Sequence, residues 1–119
     1  MSERAVHILV SDMLEAIERI QSYTDGMDFE QFVADSKTSD AVVRNLQVLG
    51  EAANRVPKSV KALSAAIEWE RIIRSRHIVV HAYFGIDFEI VWRILQVHLP
   101  PLREALLDLK TQLSPPETP

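Results

Sequence analysis

The chain has 119 residues, 47% of them hydrophobic, a formal net charge of −4 and no Cys. That length holds one domain with a modest core, for which association with a second copy is an accessible source of stability, and the missing Cys excludes disulfides, thiol nucleophiles and thiolate metal sites. The acidic balance excludes a surface that coats nucleic acid generally, since non-specific binding scales with the phosphates neutralised, so any such contact is expected to be local.

The apolar residues recur at helical rather than alternating spacing, and only three Gly occur. The first helix is expected behind a Ser2 cap, with Val6, Val10, Met13, Ile17 and Ile20 on one stripe and Thr24-Asp-Gly26 as its end. A short helical piece from Phe29 to Ala34 follows a possible Asp28 cap, and Ser36-Lys-Thr-Ser39 leads to a second long helix with the stripe Val42, Leu46, Leu49, Ala53 and Val56. Pro57 stops that helix, because it lacks an N–H and disfavours the α region for Val56. Lys58 to Ala66 has room for one or two helical turns. The third long helix is expected from about Ile67 to Ala82, and Gly85-Ile-Asp87 turns the chain into a fourth with Asp87 as N-cap. Phe88, Val91, Leu95, Leu99, Leu102, Leu106 and Leu109 form its stripe, and Pro100-Pro101 should kink or interrupt it.

The expected fold is therefore all-α, an antiparallel up-down four-helix bundle with short extra helical turns. It spans residues 1–113 as a single domain, and Ser114-Pro-Pro-Glu-Thr-Pro119 is a flexible Pro-rich tail. Apolar runs are only a few residues long, and Met1-Ser-Glu-Arg-Ala5 lacks the layout of a secretory signal, so no membrane contact and a cytoplasmic location are expected.

The stretch Arg71-Ile-Ile-Arg-Ser-Arg-His-Ile-Val-Val-His-Ala-Tyr-Phe84 gathers three Arg, two His and a Tyr with no acidic residue. It is a basic island in an acidic chain, with the groups needed to bind and cleave a phosphodiester. At about 100° per residue, Trp69, Ile72, Ile73, Val80 and Tyr83 point one way, and Arg76 falls among them. An unpaired guanidinium there is expensive, so Arg76 must meet a carboxylate, line a polar cleft or face a second subunit. His81 and Tyr83 project roughly 160° apart on a regular helix, so a shared site requires local distortion or a second copy.

Arg76, four residues, His81, one residue, Tyr83 is the signature of the HEPN superfamily, and the chain resembles its HepT-like branch, the toxin half of HepT–MntA pairs. Further matching residues are Asp40-Ala-Val-Val-Arg-Asn-Leu46, Leu49-Gly-Glu-Ala52, Trp69, the run His81-Ala-Tyr-Phe-Gly-Ile-Asp87, Val91-Trp92 and Leu99-Pro100. Two positions depart from the family pattern: His77 stands where Asn or Asp is common, and Ile78 where a basic residue is often seen. The resemblance implies a metal-independent endoribonuclease without cofactor, acting as a homodimer in which the motif from each subunit lines a common cleft. Arg76 would hold the scissile phosphate and His81 would move protons, with Arg71, Arg74 and His77 guiding RNA. An MntA-like nucleotidyltransferase antitoxin would silence the enzyme by transferring AMP to Tyr83.

Other residues have plainer readings. His77 and His81 have helical metal-pair spacing, but the motif has no carboxylate to complete a shell, and no metal is expected. Glu51 and Asn45 lie on the second helix within the matching block, and Glu51, more often a solvated or salt-bridging side chain than a catalyst, is assigned no catalytic role. His7 and His98 are expected to be isolated and partly exposed, and Trp69 and Trp92 to be apolar fillers. A second function class fits the same residues: a non-catalytic helical module whose Arg-His-Tyr cluster binds a nucleotide or docks a nucleotidyltransferase.

Overall fold

Ser2 opens the first helix by accepting the backbone N–H of Ala5 on its hydroxyl at 3.1 Å, and α1 runs Glu3–Thr24. The computed structural model describes residues 2–77, 85 and 87–113. All five residues of the predicted α1 stripe are buried. Gly26 lies just beyond the helix at φ 75°, where a side chain would be strained. The next helix, α2 (Phe29–Ala34), begins in a capping box. There the Asp28 carboxylate accepts the Gln31 N–H at 2.8 Å, while the Gln31 side chain accepts the Asp28 N–H at 2.9 Å.

Helix α3 runs Ser36–Arg55, so Ser36 to Ser39 form its first turn rather than the connection predicted. The signal overlooked is Asp35, whose carboxylate accepts the Thr38 N–H at 3.1 Å and the Thr38 hydroxyl at 2.9 Å. These bonds, the backbone one foremost, hold the Asp35 carboxyl below its ordinary value of 3.8. The helix ends as expected before Pro57, with Val56 extended. The undecided stretch after it contains α4 (Lys58–Lys61) and a 3₁₀ turn, Ala62–Ser64.

Helix α5 occupies Trp69–Ser75, two residues later than predicted. The Ser64 carbonyl explains the delay: it accepts the Ile67 N–H at 3.1 Å and the Trp69 indole N–H at 3.3 Å, which ties Ile67 into a turn. Beyond Ser75 the backbone tightens, and the Arg76 N–H reaches the Ile73 carbonyl three residues back at 3.4 Å. The continuation predicted to Ala82 lies, from Ile78 onward, outside the described residues, as does the 114–119 tail.

Asp87 caps α6 (Phe88–Arg93) by accepting the N–H groups of Glu89 and Ile90 at 3.0 and 3.3 Å. A π-helical turn, Ile94–His98, then leads into α7 (Leu99–Gln112). This is the predicted disturbance at Pro100-Pro101: neither proline can donate to a carbonyl four residues back, and the Leu99 N–H reaches the Ile94 carbonyl five residues back. The π turn keeps the axis running and places both prolines in the first turn of α7.

α1 packs along α3, α3 along α5, and α7 along α1, giving an all-α bundle with no strand among the described residues. Ile17, Ile20, Leu46, Leu99, Leu106 and Leu109 meet in the centre, fully or almost fully buried. Phe32 anchors α2, its ring centroid 5.2 Å from Trp92 and 5.9 Å from Phe88 in an edge-on contact. Trp92 and Trp69 are thus packing residues, as the sequence predicts.

Candidate active site

The contact between α3 and α5 is unusually close at Gly50. A Cβ there would lie 3.0 Å from the Arg76 Cβ, 3.0 Å from the Ile72 carbonyl oxygen and 3.1 Å from the Arg76 backbone nitrogen. The helices can approach this closely because α3 presents no side chain at that point. Trp69, Ile72, Ile73 and Ser75 are the buried residues of α5. The Ser75 hydroxyl is engaged locally with the Ile72 carbonyl and lies 3.4 Å from the Leu46 carbonyl of α3.

Arg76 therefore leaves the interface of α3 and α5 at a position set by backbone contact. Its guanidinium meets a carboxylate, the first of the three outcomes that its apolar setting demands: Nη1 lies 3.3 Å from Glu51 Oε1. The Arg76 side chain is 26% exposed and that of Glu51 49%, so the pair sits at the edge of the core, within reach of solvent. A pair this exposed contributes little stability, typically about 0–1 kcal/mol. Its larger effect is orientation, and a guanidinium with five N–H donors still has capacity to hold an anion beside the one it already faces.

The rest of the basic island does not converge on that point. Arg71 pairs with Glu68 at 2.9 Å, and its Nη1 lies 3.4 Å from both ring nitrogens of His98. That directs it to the π turn of the last helix and away from Glu51. Arg74 and His77 are exposed. His81 and Tyr83 lie outside the described residues. Two features were not legible beforehand. Glu51 partners Arg76 although the sequence allowed it only a generic role, and the signal was its place beside a mid-helix Gly in Leu49-Gly-Glu-Ala52. His98, expected to be isolated, is half-buried against Arg71. Among the described residues no three His, Asp or Glu side chains stand together where they could hold a metal ion, and no helix is long and apolar enough to cross a membrane.

Comparison with known proteins places this geometry in context. A family model described as "Ribonuclease HepT-like" matches residues 13–109, a span that includes α3, α5 and the last helix to Leu109. The chain is 38% identical over 94 residues to a probable ribonuclease HepT of Thermococcus cleftensis, covering 79% of this chain and 86% of the relative. It is 35% identical over 100 residues to a putative RNase of Methanocaldococcus jannaschii, covering 84% and 83%. A putative RNase of Caldanaerobacter subterraneus subsp. tengcongensis is 31% identical over 93 residues, covering 78% and 80%. No solved structure matches the chain. With the family model spanning most of the chain and the first of these relatives covered over most of its length, this protein belongs to the HepT-like ribonuclease family.

Proposed function

We propose that this protein is a metal-independent endoribonuclease that acts as a homodimer, and that it is the toxin of a pair whose antitoxin is a nucleotidyltransferase. The observation that carries the proposal is Arg76, a permanent cation fixed by the Gly50 contact and oriented by Glu51 at the solvent edge of the core, in a family of ribonucleases. Such a guanidinium suits a scissile phosphate, stabilising the charge that grows on its oxygens, but it cannot serve as a base. His81, the second residue of the motif, supplies that function. An imidazole titrating near neutrality removes the proton from the ribose 2′-OH, or gives one to the departing 5′ oxygen. A two-fold axis brings two such imidazoles to one cleft, one for each task. Arg74 and His77, both exposed beside Arg76, guide flanking phosphates, with Arg71 contributing once drawn from Glu68.

Silencing follows from the same chemistry. AMP transferred to the Tyr83 phenol carries a negative phosphate, which competes with RNA for Arg76 and occupies the cleft. The test is induced expression without the partner. Growth should slow, and either Arg76→Ala or His81→Ala should relieve the effect while leaving helical signal and melting near wild type; full toxicity of both variants refutes the site. Co-expression with the nucleotidyltransferase should add AMP at Tyr83 by peptide mass spectrometry, and Tyr83→Phe should resist neutralisation. Additions mapping elsewhere, or a Phe variant neutralised normally, refute that mode of silencing.

A further inference from the structure

A cavity of about 170 Å³ lies between α3, α5 and the last helix, and, Arg71 apart, the reaction above makes no use of its lining residues. Its walls are aliphatic, formed by Leu46, Leu49, Ile72, Ile94, Leu99 and Leu102. Polar groups enter at one end, where exposed Glu68 and Arg71 stand with half-buried His98. Inside, Ser75 is the polar side chain, and its hydroxyl proton is already committed to the Ile72 carbonyl. The π turn contributes two of the lining residues, Ile94 and His98, and Leu99 follows immediately after it. The widened turn that accommodates Pro100 and Pro101 therefore also shapes this space and brings His98 to Arg71. Turns of this kind are frequently retained at functional positions.

We infer that this cavity is a binding site for a small amphipathic anion, a carboxylate carrying a short aliphatic chain or a single ring. Size sets the first limit: an apolar cavity of roughly 150 Å³ accepts a ligand the size of benzene. Charge sets the second. Arg71, a lining residue, uses Nε for Glu68 and turns Nη1 toward His98, so its planar fork keeps further donors that match a carboxylate. A nucleobase is the poorer occupant, because its edge would meet aliphatic walls and a committed hydroxyl, leaving buried donors and acceptors unpaired. The site shares Arg71 with the proposed RNA path but none of Arg76, His81 or Tyr83, and hexanoate binding is read without RNA, so it stands or falls separately from the cleavage reaction.

Hexanoate, its neutral analogue hexanamide, and AMP serve as probes, followed by methyl NMR of the Leu and Ile residues and by thermal melting. Hexanoate should shift the methyl signals of Leu46, Leu99 and Leu102 saturably in the millimolar range and raise the melting temperature. It should bind about tenfold tighter than hexanamide, as one charge-assisted contact allows. Arg71→Gln should reduce hexanoate to the level of hexanamide, and Ala105→Leu, at a residue that also lines the cavity, should abolish both by filling the space. Ala66→Leu, at the exposed rim, is the filling variant to use if Ala105→Leu fails to fold. Absence of saturable shifts overturns the inference, as does hexanoate binding that is unchanged by Arg71→Gln. AMP shifting the same methyls at lower concentration than hexanoate also overturns it, in favour of a nucleotide pocket.

Discussion

Replacing Gly50 with Ala sets two known effects against each other at the contact that positions Arg76. In a helix interior Ala is favoured over Gly by about 0.8–1 kcal/mol. Against that gain, the new Cβ would stand 3.0 Å from the Ile72 carbonyl oxygen and 3.1 Å from the Arg76 nitrogen. Both are backbone atoms of the α5 region, so neither can swing aside alone, and that segment must retreat by a few tenths of an ångström. Overpacking of this kind costs about 1–3 kcal/mol. The expected balance is a net loss of about 0–2 kcal/mol, read as a melting temperature lower by about 4 °C per kcal/mol lost. Cleavage should suffer beyond the loss of folded protein, because Arg76 moves with α5: a drop of about two- to tenfold, given that a displacement of 1 Å in a catalytic group can cost a hundredfold. Urea unfolding and RNA cleavage on the same preparation separate the two effects. A variant stabilised by the full helix-propensity gain and cleaving at the wild-type rate refutes the idea that close packing at Gly50 sets the position of Arg76.

Phe32→Ala should destabilise by about 3–5 kcal/mol, since Phe32 is fully buried and holds α2 against Trp92 and Phe88; calorimetry checks this. Glu51→Gln should change stability by less than about 1 kcal/mol in urea titrations, yet slow cleavage, because the pair is exposed and its effect is on Arg76 orientation. The Asp35 carboxyl has a folded value below its ordinary 3.8, so it contributes stability at higher pH that is lost as pH falls through the folded value. Unfolding curves of wild type and Asp35→Ala should accordingly differ at neutral pH and converge at acid pH below 3.8.

Much of the fold was legible because its signals are local. The stripes of α1 and α3 are buried at each predicted position, and Ser2, Asp28 and Asp87 cap the helices they were expected to cap. What escaped depends on contacts distant in sequence or on competing local bonds. Nothing near Ile67 announces that the Ser64 carbonyl delays α5 by two residues, and Asp35 outcompetes the Ser36–Ser39 run as a start signal only once its bonds to Thr38 are visible. Pro100-Pro101 marked a disturbance, but whether the chain kinks or widens into a π turn depends on packing against its neighbours. The site divides the same way. Residue types and spacing singled out Arg76 and its need for a partner. The identity of that partner required α3 and α5 to be placed together, 25 residues apart in sequence, and the same packing separates Arg71 from Arg76 although both belong to one basic run.

Cleavage of a defined RNA by purified protein in the presence of EDTA, with analysis of the product ends, tests the central claim most directly. Wild type should release a 2′,3′-cyclic phosphate and a 5′-OH, leave DNA of the same sequence intact because it lacks the 2′-OH nucleophile, and lose about 10²- to 10³-fold in rate on Arg76→Ala, with a comparable loss on His81→Ala. Activity abolished by the chelator and restored by a divalent metal, products with a 3′-OH and 5′-phosphate, or undiminished cleavage by both variants would contradict it.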